Sequence, residues 1–375
     1  MAKKILFFFI LNLSFVILIL SMESKMKTGI VKSDEYIKHQ MGAFHPESPE
    51  RLKVIYEMIE KEFSLNSDNS KFVLISPRKA SKEELELIHS PSYIDLIEST
   101  KGKERVILDP DTSTCADTYE VACLAAGGVL EAIDEIMKGK IKNAFALIRP
   151  PGHHAEKDRA MGFCFFNNVA IGAEYLIQKH KLKRILIVDW DLHHGNGTQH
   201  AFYSRFDVLY FSTHQFPYYP GTGRESEVGI GDGEGYTINI PLSPGKNDKD
   251  FLYIFRKILH PIAEQFKPEF IIVSCGFDIC AGDPLGGMKV TSKGFGALAF
   301  ELKEIAEELC EGRLLLVLEG GYSLNCLREG VKEILQVLSG QIDSYKIKFE
   351  ISSDFLKELE PVIKIHKKYW EFDNQ

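Results

Sequence analysis

Arg184-Ile-Leu-Ile-Val-Asp-Trp-Asp-Leu-His-His-Gly-Asn196 decides the reading of this chain. Its aliphatic run does not alternate with polar residues, which marks a strand covered on both faces, as in a parallel sheet packed between helices. The run ends on Asp189, Asp191 and His193. Ligands of open α/β sheets bind beyond the carboxyl ends of the strands, so these polar residues stand where chemistry belongs. Asp191 and His193 are two apart, and an extended chain points both the same way. A carboxylate and an imidazole so placed make a common zinc pair.

Similar runs lie at 144–149, 208–212, 237–240, 270–275 and 314–319. Between them, 118–138 and 293–309 carry the 3.6-residue apolar spacing of helices packed on a sheet. The alternation predicts one α/β domain with a central parallel sheet between 28 and about 340. A tail from 342 to 375 is separate; Phe355, Leu356, Leu359, Val362, Ile363 and Tyr369 suggest a docking helix interrupted at Pro361, without a catalytic role.

The chain has 375 residues, 45% hydrophobic and 26% charged, enough to bury a large core. A net charge of −8 argues against a direct nucleic-acid binder, which needs clustered Lys and Arg, and suits a cationic substrate better. The seven cysteines are scattered and odd in number, so we expect free thiols in a reducing compartment and neither a zinc ribbon nor a disulfide framework. Lys3 and Lys4 precede an apolar run over residues 5–20, shorter than a span of about 20 residues. Residues 1–25 therefore read in three ways: an upstream start wrongly assigned, with a cytoplasmic protein beginning near Met26, an uncleaved anchor, or a signal peptide of an exported one.

The residues that follow the predicted strands carry the chemistry. His153 and His154 close a rigid Pro-Pro-Gly turn, and an imidazole is the natural general base near neutral pH. Asp189 and Asn196 flank the metal pair and could each take a ring N–H of one histidine. Asp278, after the run at 270–275, supplies a third ligand and leaves a coordination position open, although Asp283 competes for that role on spacing alone. Tyr322 follows a di-glycine, which lets a phenol reach a developing oxyanion. Two aromatic, glycine-punctuated segments, Gly162-Phe-Cys-Phe-Phe-Asn-Asn168 and Tyr218-Tyr-Pro-Gly-Thr-Gly223, suit the walls of a narrow apolar slot. Asp109 and Asp111 lie in a loop that we expect at its rim.

His45-Pro-Glu-Ser-Pro-Glu-Arg-Leu52, Arg149-Pro-Pro-Gly-His-His154, Gly162-Phe-Cys164, 189–198, Tyr219-Pro-Gly-Thr-Gly223, Gly276-Phe-Asp278, Gly282-Asp-Pro-Leu285 and Glu319-Gly-Gly-Tyr322, in that order, resemble the histone deacetylase superfamily. The Asn196 position and the Glu-Gly-Gly-Tyr form are similar to class II enzymes and their bacterial relatives. The resemblance implies the three-layer α/β/α arginase/deacetylase fold over 26–341. It also implies one zinc ion per chain held by Asp191, His193 and Asp278, the last preferred to Asp283. His153 and His154 match the tandem catalytic histidines, Asp189 and Asn196 the groups behind them, and Tyr322 the transition-state tyrosine. Phe163 and Tyr219 match the tunnel walls, Gly162 the carbonyl that accepts the substrate amide N–H, and Leu285 the gate. Asp189, Asp191, His193, Ser212 and Thr213 match a structural monovalent-cation site, for which potassium is expected. The arginases share the fold but use two manganese ions; Asn196 and the missing second Asp-x-Asp favour one metal. The implied activity is removal of acetyl from acetyl-lysine in proteins or peptides, with acetylpolyamines or other small acetylamides as the rival substrates. An acyl-lysine binding protein without turnover is the rival from a different class.

Overall fold

The structure is a computed structural model that describes residues 27–65, 67, 69–345, 347 and 350–372. The expectations for residues 1–25, including the apolar run at 5–20, lie outside the described residues. Among the described residues no helix is long and apolar enough to cross a membrane.

Ten strands occur in the described residues: β1 Lys27–Val31, β2 Phe72–Ile75, β3 Val106–Asp109, β4 Thr112–Thr114, β5 Ile141–Ala146, β6 Ile185–Asp189, β7 Val208–Gln215, β8 Thr237–Leu242, β9 Phe270–Cys275 and β10 Leu314–Leu318. Eight form one sheet in the order β2-β1-β5-β10-β9-β6-β7-β8. Every pairing in it is parallel. β6, β7, β9 and β10 are buried along their whole length, as their continuous apolar runs predict. The sequence reading missed β1 and β2. β1 contains Gly29, and edge strand β2 leaves Val73 and Leu74 exposed, so neither offers a long covered run.

Helices Thr118–Met137 and Asn168–Gln178 pack together over β1, β5, β6 and β9, while Glu50–Glu62, Ser292–Leu309 and Leu324–Leu338 form a second packed group. The result is an α/β fold with helices flanking a central parallel sheet, the architecture that the resemblance implies. β3 and β4 make a separate antiparallel hairpin.

Two expectations need correction. The tail helix Ser353–His366 runs through Pro361 without interruption. Pro361 and Lys357 face solvent, so the carbonyl freed by the missing N–H is open to water. Phe355, Leu359, Val362 and His366 are buried on the opposite face, and that burial holds the helix against the domain. Lys246 and Glu358 (2.7 Å) and the Trp370 indole N–H to the Gly235 carbonyl (2.9 Å) complete the docking.

The cysteines are also not all free thiols, because Cys280 and Cys326 form a disulfide across 46 residues of sequence. Cys280 follows β9 and Cys326 lies in the first turn of Leu324–Leu338; the adjacency of β9 and β10 brings them together, which spacing in the chain does not reveal. Cys115, Cys123, Cys164, Cys275 and Cys310 are free.

Candidate active site

The carboxyl ends of β5, β6, β9 and β10 are neighbours in the sheet, so the loops that follow them converge. Asp191, His193 and Asp278 are buried, and one ligand atom from each lies within 4.8 Å of the others. His193 Nδ1 is 3.2 Å from Asp191 Oδ1 and 3.2 Å from Asp278 Oδ2. Backbone amides aim both carboxylates: Gly320 N–H donates to Asp191 Oδ2 and Leu192 N–H to Asp278 Oδ1, each at 2.9 Å. Gly320 leaves room for this, since a Cβ there would stand 2.3 Å from Asp278 Oδ2.

The donor set fits a divalent metal. Asp278 Oδ2 is buried and accepts no hydrogen bond. Burial and the neighbouring charge of Asp191 push the Asp278 carboxyl up to about 7. Two carboxylates this close in a dry site favour a cation between them. Asp283, the rival acid, is spent elsewhere: its carboxylate accepts the backbone N–H groups of Tyr322 (2.6 Å), Ser323 (2.9 Å) and Leu285 (3.0 Å).

His153 and His154 lie side by side, ring centroids 4.0 Å apart, on two different supports. His153 Nδ1 faces Asp189 Oδ2 at 3.1 Å, and the Tyr210 hydroxyl donates to the same oxygen at 3.0 Å. Burial lowers the His153 pKa, but the Asp191 and Asp189 carboxylates outweigh it and raise it to about 10. His154 Nδ1 faces the amide oxygen of Asn196 at 2.8 Å. Burial, then the charges of His153 and His193, hold His154 well below the usual imidazole range. An amide oxygen only accepts, so Nδ1 carries the proton and Nε2 a lone pair.

Glu319 Oε2 accepts the N–H groups of Gly152 (2.7 Å) and His153 (3.2 Å) and so shapes the turn that carries both histidines.

Phe163, at φ 68°, and Tyr219 flank the pair. Phe163 meets Tyr322 edge-on at 5.9 Å, and Tyr219 meets His154 edge-on at 5.1 Å. Gly162 has φ 56°, and a Cβ there would lie 2.3 Å from His154 Cδ2, so only glycine lets the backbone approach that ring. Phe165 and Phe166, from the same segment, are core plugs instead. Leu285 is half-buried, its carbonyl accepting the Tyr218 hydroxyl at 3.1 Å, and the Tyr218 ring stacks near His193 at 5.7 Å. The hairpin tip bearing Asp109 and Asp111 is tied to this wall, since Thr112 Oγ1 accepts the Phe163 N–H at 2.9 Å. Ser212 pairs in register with Asp189 across β6 and β7, and Thr213 Oγ1 is buried without a hydrogen-bond partner.

Sequence reasoning gave no role to the buried charges beneath the site. Arg149 and Arg51 both grip Glu47: Arg149 Nη2 reaches Oε2 at 2.7 Å and Arg51 Nη1 reaches Oε1 at 3.0 Å. Arg51 Nε also donates to the Gly321 carbonyl at 2.7 Å, and its guanidinium lies 5.3 Å from the Tyr322 ring centre. An arginine at the end of a covered strand, as at 149, was the available signal. Tyr218, by contrast, lies in one of the two aromatic segments expected to wall the slot, and it stands beside His193.

Residues 45–338 match the model of the histone deacetylase domain. The chain belongs to the histone deacetylase family. That match spans every residue of the site just described. This family member is 38% identical over 366 residues to a probable deacetylase of Archaeoglobus fulgidus, covering 92% of the chain and 99% of the archaeal protein. It is 40% identical over 377 residues to histone deacetylase HDA1 of Candida albicans and 39% identical over 301 residues to histone deacetylase 15 of Arabidopsis thaliana. Those alignments cover 92% and 79% of this histone deacetylase family chain, but only 45% and 53% of the two relatives. The crystal structure of the HDA15 HD domain superposes with a TM-score of 0.84 at 36% identity, over 92% of this chain and 96% of that one.

Proposed function

We propose that this chain is a zinc-dependent amidohydrolase that removes acetyl from acetyl-lysine in a protein or peptide, releasing acetate and the free amine. The observation that carries the reading is the convergence of Asp191, His193 and Asp278 on one point beside two histidines with unlike partners. A zinc ion held by those three residues, one per chain, would supply a Lewis acid for the acetyl carbonyl and lower the pKa of the attacking water.

His154 takes the water proton at Nε2, the nitrogen left free by its bond to Asn196, and passes it to the amide nitrogen as the C–N bond breaks, so that the amine leaves neutral. His153, backed by Asp189, stays protonated and adds positive charge beside the developing oxyanion. Tyr322 donates its phenol proton in a hydrogen bond to that oxyanion. Phe163 and Tyr219 enclose the lysine alkyl chain and keep water from its sides, the Gly162 carbonyl accepts the substrate amide N–H, and Leu285 offers an apolar gate that suits a peptide better than a polyamine. Asp189, Asp191, His193, Ser212 and Thr213 would hold a structural potassium ion; the buried, partnerless Thr213 hydroxyl supports that reading. The tail after residue 341 supports the domain and takes no part in the chemistry.

The test is acetate release by the full chain from an acetyl-lysine peptide and, in parallel, from acetylspermidine, before and after chelation and zinc re-addition. Activity on the peptide that is lost and restored supports the reading. Preference for acetylspermidine in kcat/KM moves the substrate class to small acetylamides. Stoichiometric zinc with no release from either overturns catalysis in favour of acyl-lysine binding.

A further inference from the structure

Asn196 presents an oxygen to His154, but a side-chain amide is nearly symmetric and is equally able to turn its NH2 that way. Turned, it would require Nδ1 of His154 to accept, move the proton to Nε2 and leave no lone pair toward the reaction centre. Something must hold the amide. Asn196 Nδ2 donates to the Glu156 carboxylate and to the His154 carbonyl (3.3 Å), two groups that only accept. Reversal would set the amide oxygen against both.

We infer that Glu156 is a positioning residue for His154, acting through the side-chain amide of Asn196. The inference rests on the reading of His154 as the base.

Glu156 is itself fixed from three sides. His200 Nδ1 lies 2.8 Å from Oε1 and 3.0 Å from Oε2. The backbone of Glu156 bridges to Arg159 (2.9 Å), and its carbonyl faces His89 Nδ1 at 2.9 Å. His89 Nε2 in turn accepts the Asn167 N–H at 2.9 Å, which ties this segment to the start of helix Asn168–Gln178. Burial raises the Glu156 pKa, but His200 and Asn196 outweigh it, and the carboxyl sits below its ordinary range, an acceptor at neutral pH.

The arrangement separates the two histidines. His153 has a carboxylate directly behind it, whereas the carboxylate behind His154 stands one amide further away. Glu156 thereby dictates the tautomer of His154 without placing a negative charge against its ring. Glu156 and His200 also line a surface cavity of about 450 Å³, so water can enter beside a shortened or apolar side chain and the fold need not fail with it.

The experiment is a double-mutant cycle in the zinc-loaded full chain. Glu156→Leu removes the acceptor and is expected to lower kcat about tenfold or more, the scale typical of groups that orient a catalytic side chain, with KM and zinc content little changed. Asn196→Asp replaces the amide by a carboxylate, which offers an acceptor to His154 whichever way it turns. In that background Glu156→Leu should not lower kcat, because no orientation remains to be chosen and the substitution removes the carboxylate that would face the one introduced at position 196. A companion measurement on 15N-histidine-labelled protein should show His154 protonated at Nδ1, with that signature lost in Glu156→Leu and retained in Asn196→Asp. An equal loss of kcat in both backgrounds, or an unchanged His154 tautomer in Glu156→Leu, overturns the inference. His154→Ala separates the two readings: turnover surviving there removes His154 as the base, while the tautomer measurement still decides whether Glu156 controls its proton.

Discussion

Asp283 accepts the backbone N–H of Tyr322 at 2.6 Å, so the residue that follows the candidate metal ligand by five positions also sets the place of the candidate oxyanion donor. The Tyr322 loop is gripped from the other side by Arg51, whose guanidinium reaches the carbonyls of Glu319 and Gly321. Asp283→Ala leaves three backbone N–H groups without their acceptor. We expect kcat to fall about tenfold, the equivalent of about 1.4 kcal/mol, with a smaller change in KM. Steady-state kinetics on the folded variant decide it, and an unchanged kcat would show that Asp283 does not position Tyr322.

Tyr322→Phe keeps the ring against Phe163 and removes only the phenol. The loss of a single oxyanion donor is worth about 3 kcal/mol, so kcat should drop about a hundredfold while the zinc content stays constant. Near-normal turnover would remove Tyr322 from the mechanism.

Glu47 holds Arg149 and Arg51 in a site where all three side chains are fully buried. Burial pushes its carboxyl up, but the two guanidinium groups outweigh it and lower the pKa from 4.5 to about 2. The folded value lies below the unfolded one, so this stabilisation is complete above about 4.5 and is lost as the pH falls toward about 2. Glu47→Gln leaves two buried cations without a counter-charge and should cost about 3–5 kcal/mol at neutral pH. Denaturant midpoints measured from pH 7 to 3 check both statements. In the variant, the slope of stability with pH over this acid range should flatten.

The Cys280–Cys326 bond closes a loop of 46 residues. Cross-links of that span typically add about 2–4 kcal/mol, chiefly by restricting the unfolded chain. The Cys280→Ser/Cys326→Ser protein should be less stable by that amount, and dithiothreitol should shift the denaturant midpoint of the parent protein but not of the variant. Equal midpoints for the oxidised and reduced parent would show that the bond adds nothing.

The local grammar of the chain determined the class of the fold and the residue types of its candidate site. Strands β6, β9 and β10 were legible because a strand covered on both faces needs an unbroken apolar run, and Asp191 and His193 because extended backbone points alternate residues one way. β1 and β2 were hidden because a glycine-bearing strand and a half-exposed edge strand satisfy no such rule. The continuous tail helix was obscured for a related reason, since burial of Phe355, Leu359 and Val362 on the far face outweighs the local cost of Pro361.

What depends on contacts between distant residues belonged to the tertiary structure. Only the adjacency of β9 and β10 pairs Cys280 with Cys326, and only the folded loops show Asp278 beside Asp191 while Asp283 turns to the Tyr322 backbone. The hydrogen-bonded path from Glu156 through Asn196 to His154 joins residues 40 and 42 positions apart. A sequence specifies residue types and their periodicity along one dimension, whereas the partner of a buried polar group is chosen by whichever neighbours the sheet order brings within about 3 Å of it.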